Sequence, residues 1–464
     1  MWIPRLDVGS DRPFFRQITD AIAADLASGR LVPGARLPTH RELADRLGVA
    51  RGTVARAYDL AEHHGLIHGD VGRGTFVQGT ETAARRYASL LDAPVIAGDL
   101  SGNHPLEGID PDPASAFAEL ALRADRRALL RYQSPLGIRR HRAAGAAWVR
   151  RLGLAATEDD VILCAGAQHA LFVLFAHLLG PDETLLVEEW SYPGLHGIAE
   201  TLRLRLEAVA MDREGVDPDA LERACAGRPA RTFYCMPTAH NPLGVVLSAG
   251  RRAAIADVAR RHGLRIVEDA ANQLFVPDAP PPLAAYAGER TYFVASTAKI
   301  LGAGLRVAFV LAPRSELAAI ARHVWSTVWM VSPFGAEIVS SWLEQGIVDR
   351  TLRRKRAEAV RRQRLARRAL GGHALLGHPA TLHLWLRLPR GHTAAALVAE
   401  AQHHGLAVTP ASAFWMRRTP PEEAIRIALG GIDSRKELAR GLGAIAGLLA
   451  PGSARQRSLP RAPR

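Results

Sequence analysis

Thr291-Tyr-Phe-Val-Ala-Ser-Thr-Ala-Lys299, continuing as Ile300-Leu-Gly-Ala-Gly-Leu-Arg306, is an apolar strand that runs into a turn of small residues and delivers a lysine at its end. The chain has 464 residues and carries 59 lysines and arginines together. Of the lysines there are only three, at positions 299, 355 and 436. Lys355 and Lys436 stand among arginines in stretches that read as solvated helices. Lys299 does not, and it points to chemistry that arginine cannot do. A desolvated lysine loses its proton and attacks a carbonyl, whereas a guanidinium stays charged.

Outward from that strand the pattern repeats. Val161–Cys164, Thr184–Val187, Thr232–Cys235, Arg265–Val267 and Thr291–Ala295 read as short apolar strands, each followed by helical or loop sequence. Such alternation predicts an α/β domain, a mostly parallel sheet with helices on both faces. Ligands of such sheets collect at the carboxyl ends of the strands, and polar groups fall there. Gly166-Ala167-Gln168 opens a helix whose amides and dipole suit a phosphate. Tyr192 offers an aromatic plane. His240-Asn241-Pro242, Glu268-Asp269 and Arg306 follow three further strands, and the fork of Arg306 suits a phosphate. A lysine nucleophile, a phosphate cradle, a stacking ring and a carboxylate together match pyridoxal phosphate chemistry.

The first eighty residues read differently. Ile18, Ile22 and Leu26 mark one helical stripe between Pro13 and Gly29. Thr39-His-Arg-Glu42 fits a capping box that opens a second helix, carrying Leu43, Ala44 and Leu47 inward and ending at Gly48. A third helix carries Val54, Ala57, Tyr58 and Ala61, closed by Gly65. Two strands follow, Leu66–His68 and Gly74–Val77, joined by a turn with Gly69, Asp70 and Gly72. Helix, turn, helix and β-wing put one helix in the major groove and the wing near the backbone. Arg51 and Arg56 then point outward with Thr53 at the groove end, and Arg73 sits on the wing. Arginine there can read guanine, and Thr53 can bond a phosphate.

Composition narrows the rest. The net charge of +13 does not locate a DNA site: residues 1–80 hold ten arginines against nine acidic residues, and the excess gathers between Asp349 and Gly372, read as a solvated helix. Three scattered cysteines fit a reducing compartment and no metal cluster. With no leader-like start and no convincing span, the expectation is a cytoplasmic protein without membrane attachment.

Two resemblances sharpen this. Gly34-Ala-Arg-Leu-Pro-Thr-His-Arg-Glu-Leu-Ala, Gly48-Val-Ala-Arg-Gly-Thr-Val and Gly72-Arg-Gly-Thr-Phe-Val resemble the winged helix of the GntR regulator family. The resemblance implies that Arg41, Arg51, Thr53, Arg73 and Gly74 contact double-stranded DNA. Ala50 departs from the family's helix-capping serine, which weakens the start of the third helix by about 1 kcal/mol. From about Leu100 to about Leu449 the chain resembles fold type I aminotransferases, which adds a small C-terminal subdomain to the sheet. That resemblance implies a Schiff base on Lys299, Asp269 at the pyridine nitrogen, Tyr192 on the ring face and Asn241 at the ring hydroxyl. It also implies Gly166, Ala167, Gln168, Ser296 and Arg306 at the phosphate. Tyr132 would reach the phosphate of a homodimer partner, and Arg426 would hold an amino-acid carboxylate. The fusion resembles the MocR-type branch, with Ala271 replacing a usual tyrosine, a departure that bears on transamination more than on cofactor binding. The expected boundaries are 1–78 for the winged helix, 79–98 for a linker, 99–450 for the aminotransferase-like domain and 451–464 for a disordered basic tail. Function is expected to be transcriptional regulation sensing pyridoxal phosphate or an amino compound. The alternative is an active aminotransferase whose N-terminal domain does not regulate.

Overall fold

The computed structural model describes residues 2–7, 9, 12–27, 30–32, 34–63, 66–70, 74–77, 98–227, 230–417 and 420–450. The chain divides into two compact units, residues 1–89 and 90–464. The expected linker (79–97 of it), Arg73 and the basic tail lie outside the described residues.

The first unit holds helices α1 (Phe14–Ala27), α2 (His40–Leu47) and α3 (Arg51–His63), then a hairpin of β1 (Ile67–Asp70) and β2 (Gly74–Val77). The capping box forms as read: Thr39 Oγ1 accepts from the Glu42 amide at 3.3 Å, and Glu42 Oε2 accepts from the Thr39 amide at 2.8 Å. Gly48 ends α2 at φ 65°, a left-handed conformation that costs glycine nothing. Ile18, Ile22, Leu43, Val54, Ala57, Tyr58 and Ala61 are all buried in one core. The hairpin is antiparallel with Ile67 opposite Val77 and Asp70 opposite Gly74. Gly69 and Asp70 are therefore strand residues, not turn residues as expected. Residues 34–37 lie along the wing as a further edge, with the Leu37 amide donating to Thr75 O at 2.8 Å.

The second unit is built on a seven-stranded sheet. In chain order its strands are β3 (Val161–Cys164), β4 (Thr184–Glu188), β5 (Arg205–Val209), β6 (Thr232–Cys235), β7 (Arg265–Asp269), β8 (Thr291–Ser296) and β9 (Ala308–Leu311). In space the order is β3-β9-β8-β7-β6-β4-β5. Two strands are additions to the five expected. One of them, β9, runs antiparallel to both β8 and β3, because the short connection 297–307 cannot make the crossover that a parallel neighbour needs.

Alternation sorts the strand residues to two cores. Val161, Leu163, Phe293, Ala295 and Phe309 pack with Trp148 and Trp342 on one face. Ile162, Cys164, Tyr292, Val294 and Val310 pack with Leu171, Phe175 and Ile320 on the other. Burying each large apolar side chain contributes about 1.5–3 kcal/mol. Helix Ile347–Ala369 leads to the small subdomain, an antiparallel sheet of β10 (Leu375–Leu376), β11 (His383–Arg387), β12 (Thr409–Pro410) and β13 (Ala424–Ala428), ordered β10-β11-β13-β12.

Helix Ile347–Ala369 corrects two readings. It is solvated on one face only, and Lys355 is fully buried on the other, paired with Asp110. Its amine also donates to the Lys299 carbonyl at 3.2 Å.

Candidate functional site

The carboxyl ends of β3, β4, β6, β7 and β8 deliver most of the predicted residues. Asp269 is the last residue of β7, and alternation turns Glu268 the opposite way. The buried Glu268 carboxylate accepts from the amides of Leu283 and Ala284 at 3.0 and 2.9 Å, so it caps a helical turn away from the site. Burial pushes its carboxyl up to about 7.

Asp269 is buried too. Its Oδ1 accepts from the Ala271 amide at 2.9 Å and its Oδ2 from the Tyr234 hydroxyl at 3.0 Å. Burial pushes this carboxyl up, while those two donors and the charge of Lys299 pull it back toward the anion. A cation placed against Asp269 favours the anion further, which is what a protonated pyridine nitrogen offers.

Lys299 sits on the turn Ala298–Leu301 after β8, half-buried, with its amine donating to the Asn103 carbonyl. Burial lowers its pKa to about 8, and the charges of Arg426 and Lys355 add to this. Near neutrality a useful fraction is already free amine, the state a nucleophile requires.

The backbone at the expected phosphate cradle suits an anion. Gly166 precedes helix Ala167–Leu178 at φ 85°, and a Cβ there would stand 2.7 Å from an Arg306 guanidinium nitrogen. Only glycine lets Arg306 fold over the helix N-terminus, where the dipole and free amides favour an anion. Arg306 holds that position by donating to Ala165 O at 3.2 Å. Ser296 is buried at the end of β8, its Oγ accepting from the Ala298 amide at 3.3 Å. Tyr192 lies against Gly194, whose added Cβ would stand 2.4 Å from the ring. Gln168 donates to Gly194 O at 3.3 Å, and its buried Oε1 has no hydrogen-bond partner among the described residues.

Arg426 on β13 is 2% exposed. It donates to Asn241 Oδ1 at 2.9 Å and to the Ser101 carbonyl, with its guanidinium 4.7 Å from the Phe414 ring centroid. The two residues assigned to the ring hydroxyl and the substrate carboxylate therefore bond each other. Tyr132 stands apart, 80% exposed, its ring 5.1 Å from Trp329.

Sequence reasoning gave no role to four contributors. Tyr234 supports Asp269 from inside the sheet, and its apolar surroundings in β6 gave it the signature of a core ring. Asn103 accepts from Lys299, while its own buried Oδ1 lacks a partner among the described residues. Glu188 and His240, both fully buried and 3.2 Å apart, lie behind the turn that carries Asn241. Only for His240 and Glu188 had strand-end placement offered a signal.

On the winged helix, Arg51 and Arg56 are exposed and Thr53 is half-buried. Arg56 lies 4.1 Å from the centroid of Phe15, so α1 holds it in place. Arg41 is exposed, 3.9 Å from Asp45. Gly74 has φ 118°, and a Cβ there would stand 2.8 Å from Arg36, a geometric reason for glycine at the wing. No group of His, Cys, Asp and Glu among the described residues can hold a metal, and no helix among them is long and apolar enough to cross a membrane.

Comparisons with known proteins agree with both units. Residues 98–445 match the family of class I and II aminotransferases, and residues 15–77 match the gntR family of bacterial regulatory proteins. The chain is 28% identical over 449 residues to the HTH-type transcriptional regulator YdeF of Bacillus subtilis, covering 95% of each. It is 28% identical to the vitamin B6 salvage pathway transcriptional repressor PtsJ of Salmonella typhimurium, covering 90% of this chain and 94% of that one. In fold it is similar to Pyrococcus horikoshii kynurenine aminotransferase, with a TM-score of 0.72 at 20% identity over 79% of this chain and 94% of the other. Pyridoxal 5'-phosphate is the cofactor of this family, and the cradle at Gly166, the lowered amine of Lys299 and the buried Asp269 fit it. The chain belongs to the class I and II aminotransferase family and carries a GntR-family helix-turn-helix domain ahead of it, the domain pair of MocR-type regulators.

Proposed function

We propose that this protein is a cytoplasmic, homodimeric transcriptional regulator whose aminotransferase-like unit senses pyridoxal phosphate or an amino compound. The observation that supports the reading is the coexistence of the Lys299 and Asp269 site and a winged helix in one chain. A relative of the same domain order is a repressor of vitamin B6 salvage, which favours the cofactor or its ligands as the signal.

The chain's own residues suggest how a ligand is felt. Bound pyridoxal phosphate supplies a carbonyl and an electron-accepting ring. Lys299 supplies the free amine, and Asp269 holds a proton at the ring nitrogen. Gly166, Ala167, Gln168, Ser296 and Arg306 bind the phosphate, with Tyr192 against the ring face. Tyr132, exposed on its own subunit, serves the partner's phosphate. Arg426 is tied to Asn241 and to the Ser101 carbonyl. A ligand carboxylate competes for that guanidinium as the stronger, charged acceptor. It thereby releases Asn241 and the segment after Asp99. Coupling of this kind between two sites is typically worth 1–3 kcal/mol. In the winged helix, Arg51 and Thr53 meet the major groove while Arg41, Arg56, Arg73 and Gly74 meet the backbone or the wing-side groove.

The test is a fluorescence-anisotropy titration on the DNA upstream of the protein's own gene, with a shuffled duplex at equal salt. Preference for the native duplex, shifted by pyridoxal phosphate or an amino acid, is the expected result. Equal binding to both duplexes together with steady turnover of an amino donor would replace regulation by transamination.

A further inference from the structure

The two faces of helix Ile347–Ala369 do different work. On the inner face Thr351, Lys355, Glu358, Arg362 and Gln363 are buried, and Arg362 donates to the carbonyls of Leu429 and Asp433 at 2.7 and 2.5 Å. On the outer face Arg350, Arg353, Arg354, Arg361, Arg364 and Arg368 are all exposed. Their spacings of three and four residues align them, with Ala357 between, on one stripe. From 350 to 368 that stripe runs roughly 27 Å at the rise of an α-helix.

The helix has two carboxylates, and neither neutralises the stripe. Asp349 is engaged by Arg151 at 3.1 Å. Glu358 faces Arg362 at 3.0 Å, with Arg361 at 3.5 Å and Arg435 at 3.6 Å. Among the described residues, Arg353, Arg354, Arg364 and Arg368 make no ion pair within 4 Å. The neighbouring surface is mixed, with Glu358 lining one groove and apolar side chains filling in around it. Ile109 lines a shallow groove beside Arg353, Arg354 and Arg361, and Phe275, Pro277 and Ala380 line another beside Arg361 and Arg364. Like charges one turn apart repel and destabilise a helix. A linear polyanion lying along the stripe reverses the sign of that contribution.

We propose that this stripe is a second, sequence-independent contact of the protein with duplex DNA. The arginines follow the phosphates of the backbone while the winged helix reads bases. The inference rests on the reading of the chain as a DNA-binding regulator. Charge complementarity selects the occupant: a duplex presents one negative charge per ~1.7 Å of axis, so 27 Å offers on the order of fifteen.

The test uses the full chain with four substitutions, R353Q, R354Q, R364Q and R368Q, against wild type and against the corresponding four lysine variants. Association with operator and shuffled duplexes is measured across a salt series. The glutamine variant is expected to lose three to four units from the slope of log K against log salt, about 0.9 per phosphate contact. It should bind both duplexes at least tenfold more weakly at 0.1 M salt, with the ratio between them kept and the lysine variant restored. An unaltered cofactor absorption band shows that the glutamine variant is folded. An unchanged slope would overturn the proposal, as would weakened binding to phosphatidylglycerol vesicles with DNA binding intact. Arg51→Ala separates the two ideas, since it removes the preference for the operator and leaves the slope difference in place. A wild type without operator preference sinks the regulator reading, and the slope comparison still decides the stripe.

Discussion

Two lysines, Lys299 and Lys355, lie close enough that one amine reaches the other's carbonyl. Their surroundings differ in burial and in the partner of the amine. Lys355 is fully buried and has a carboxylate, Asp110, against its amine. Lys299 is half-buried, and among the described residues its amine meets a backbone carbonyl, with Asp269 acting from farther off and Arg426 opposing. Burial lowers both, but a directly paired ammonium keeps its proton more readily than one left facing a dipole. A buried lysine with a partner holds structure together. One without a carboxylate against its amine is ready to react.

The comparison breaks first, and completely, at Lys299. Lys299→Ala should abolish the visible absorption band that pyridoxal phosphate acquires on the protein, with little change in urea midpoint; a band that survives would remove Lys299 from the chemistry. Lys355→Ala should do the reverse. Removing one partner of a buried pair costs about 3 kcal/mol, read as a lower midpoint at unchanged slope. A stability change under 1 kcal/mol would mean that Asp110 finds water and the pairing is dispensable.

Acidity sharpens the contrast further. With a pKa near 8, Lys299 is mostly charged below that pH, so its reactive fraction rises about tenfold per unit and levels above it. The rate of cofactor capture by the apoprotein should follow that curve. The sign for stability is set by the same shift. Between about 8 and the ordinary lysine value of 10.5 the unfolded chain holds a proton that the folded chain has released, so stability should climb with pH across that window. Lys299→Met should flatten both profiles, and a capture rate still rising above pH 10 would contradict the lowered pKa.

Local signals carried most of what was legible in advance. The capping box, the helical stripes and all five expected strand starts of the large sheet depend on residues near in sequence, and all formed. What escaped depends on topology. The short connection after Lys299 forces β9 antiparallel, a fact visible only once Ser296 and Ala308 are known to be neighbours. Lys355 looked solvated because its helix is arginine-rich, and period alone does not say which face meets the sheet. The partnership of Arg426 with Asn241 joins residues 185 apart in the chain. Position gave each residue a role but could not show that the two roles share one hydrogen bond.

Tyr234 offers the finest test of what separates a reactive site from a structural one. Its ring packs in the core beneath the sheet, so a purely structural role is fully met by phenylalanine. Its hydroxyl is a different matter. Burial raises the phenol well above its ordinary pKa, so the group stays protonated and can only donate to Asp269. Tyr234→Phe deletes that donor without opening a cavity. Asp269 then loses one of the two hydrogen bonds that favour its anion, and its hold on a proton at the ring nitrogen weakens. A hydrogen bond to a charged group contributes about 1.5 kcal/mol, so pyridoxal phosphate should bind roughly tenfold more weakly. The pH midpoint of the bound band should move while the urea midpoint barely changes. Equal affinity and an unmoved midpoint would return Tyr234 to the core. The contrast with Lys355 would then rest on Lys299 alone.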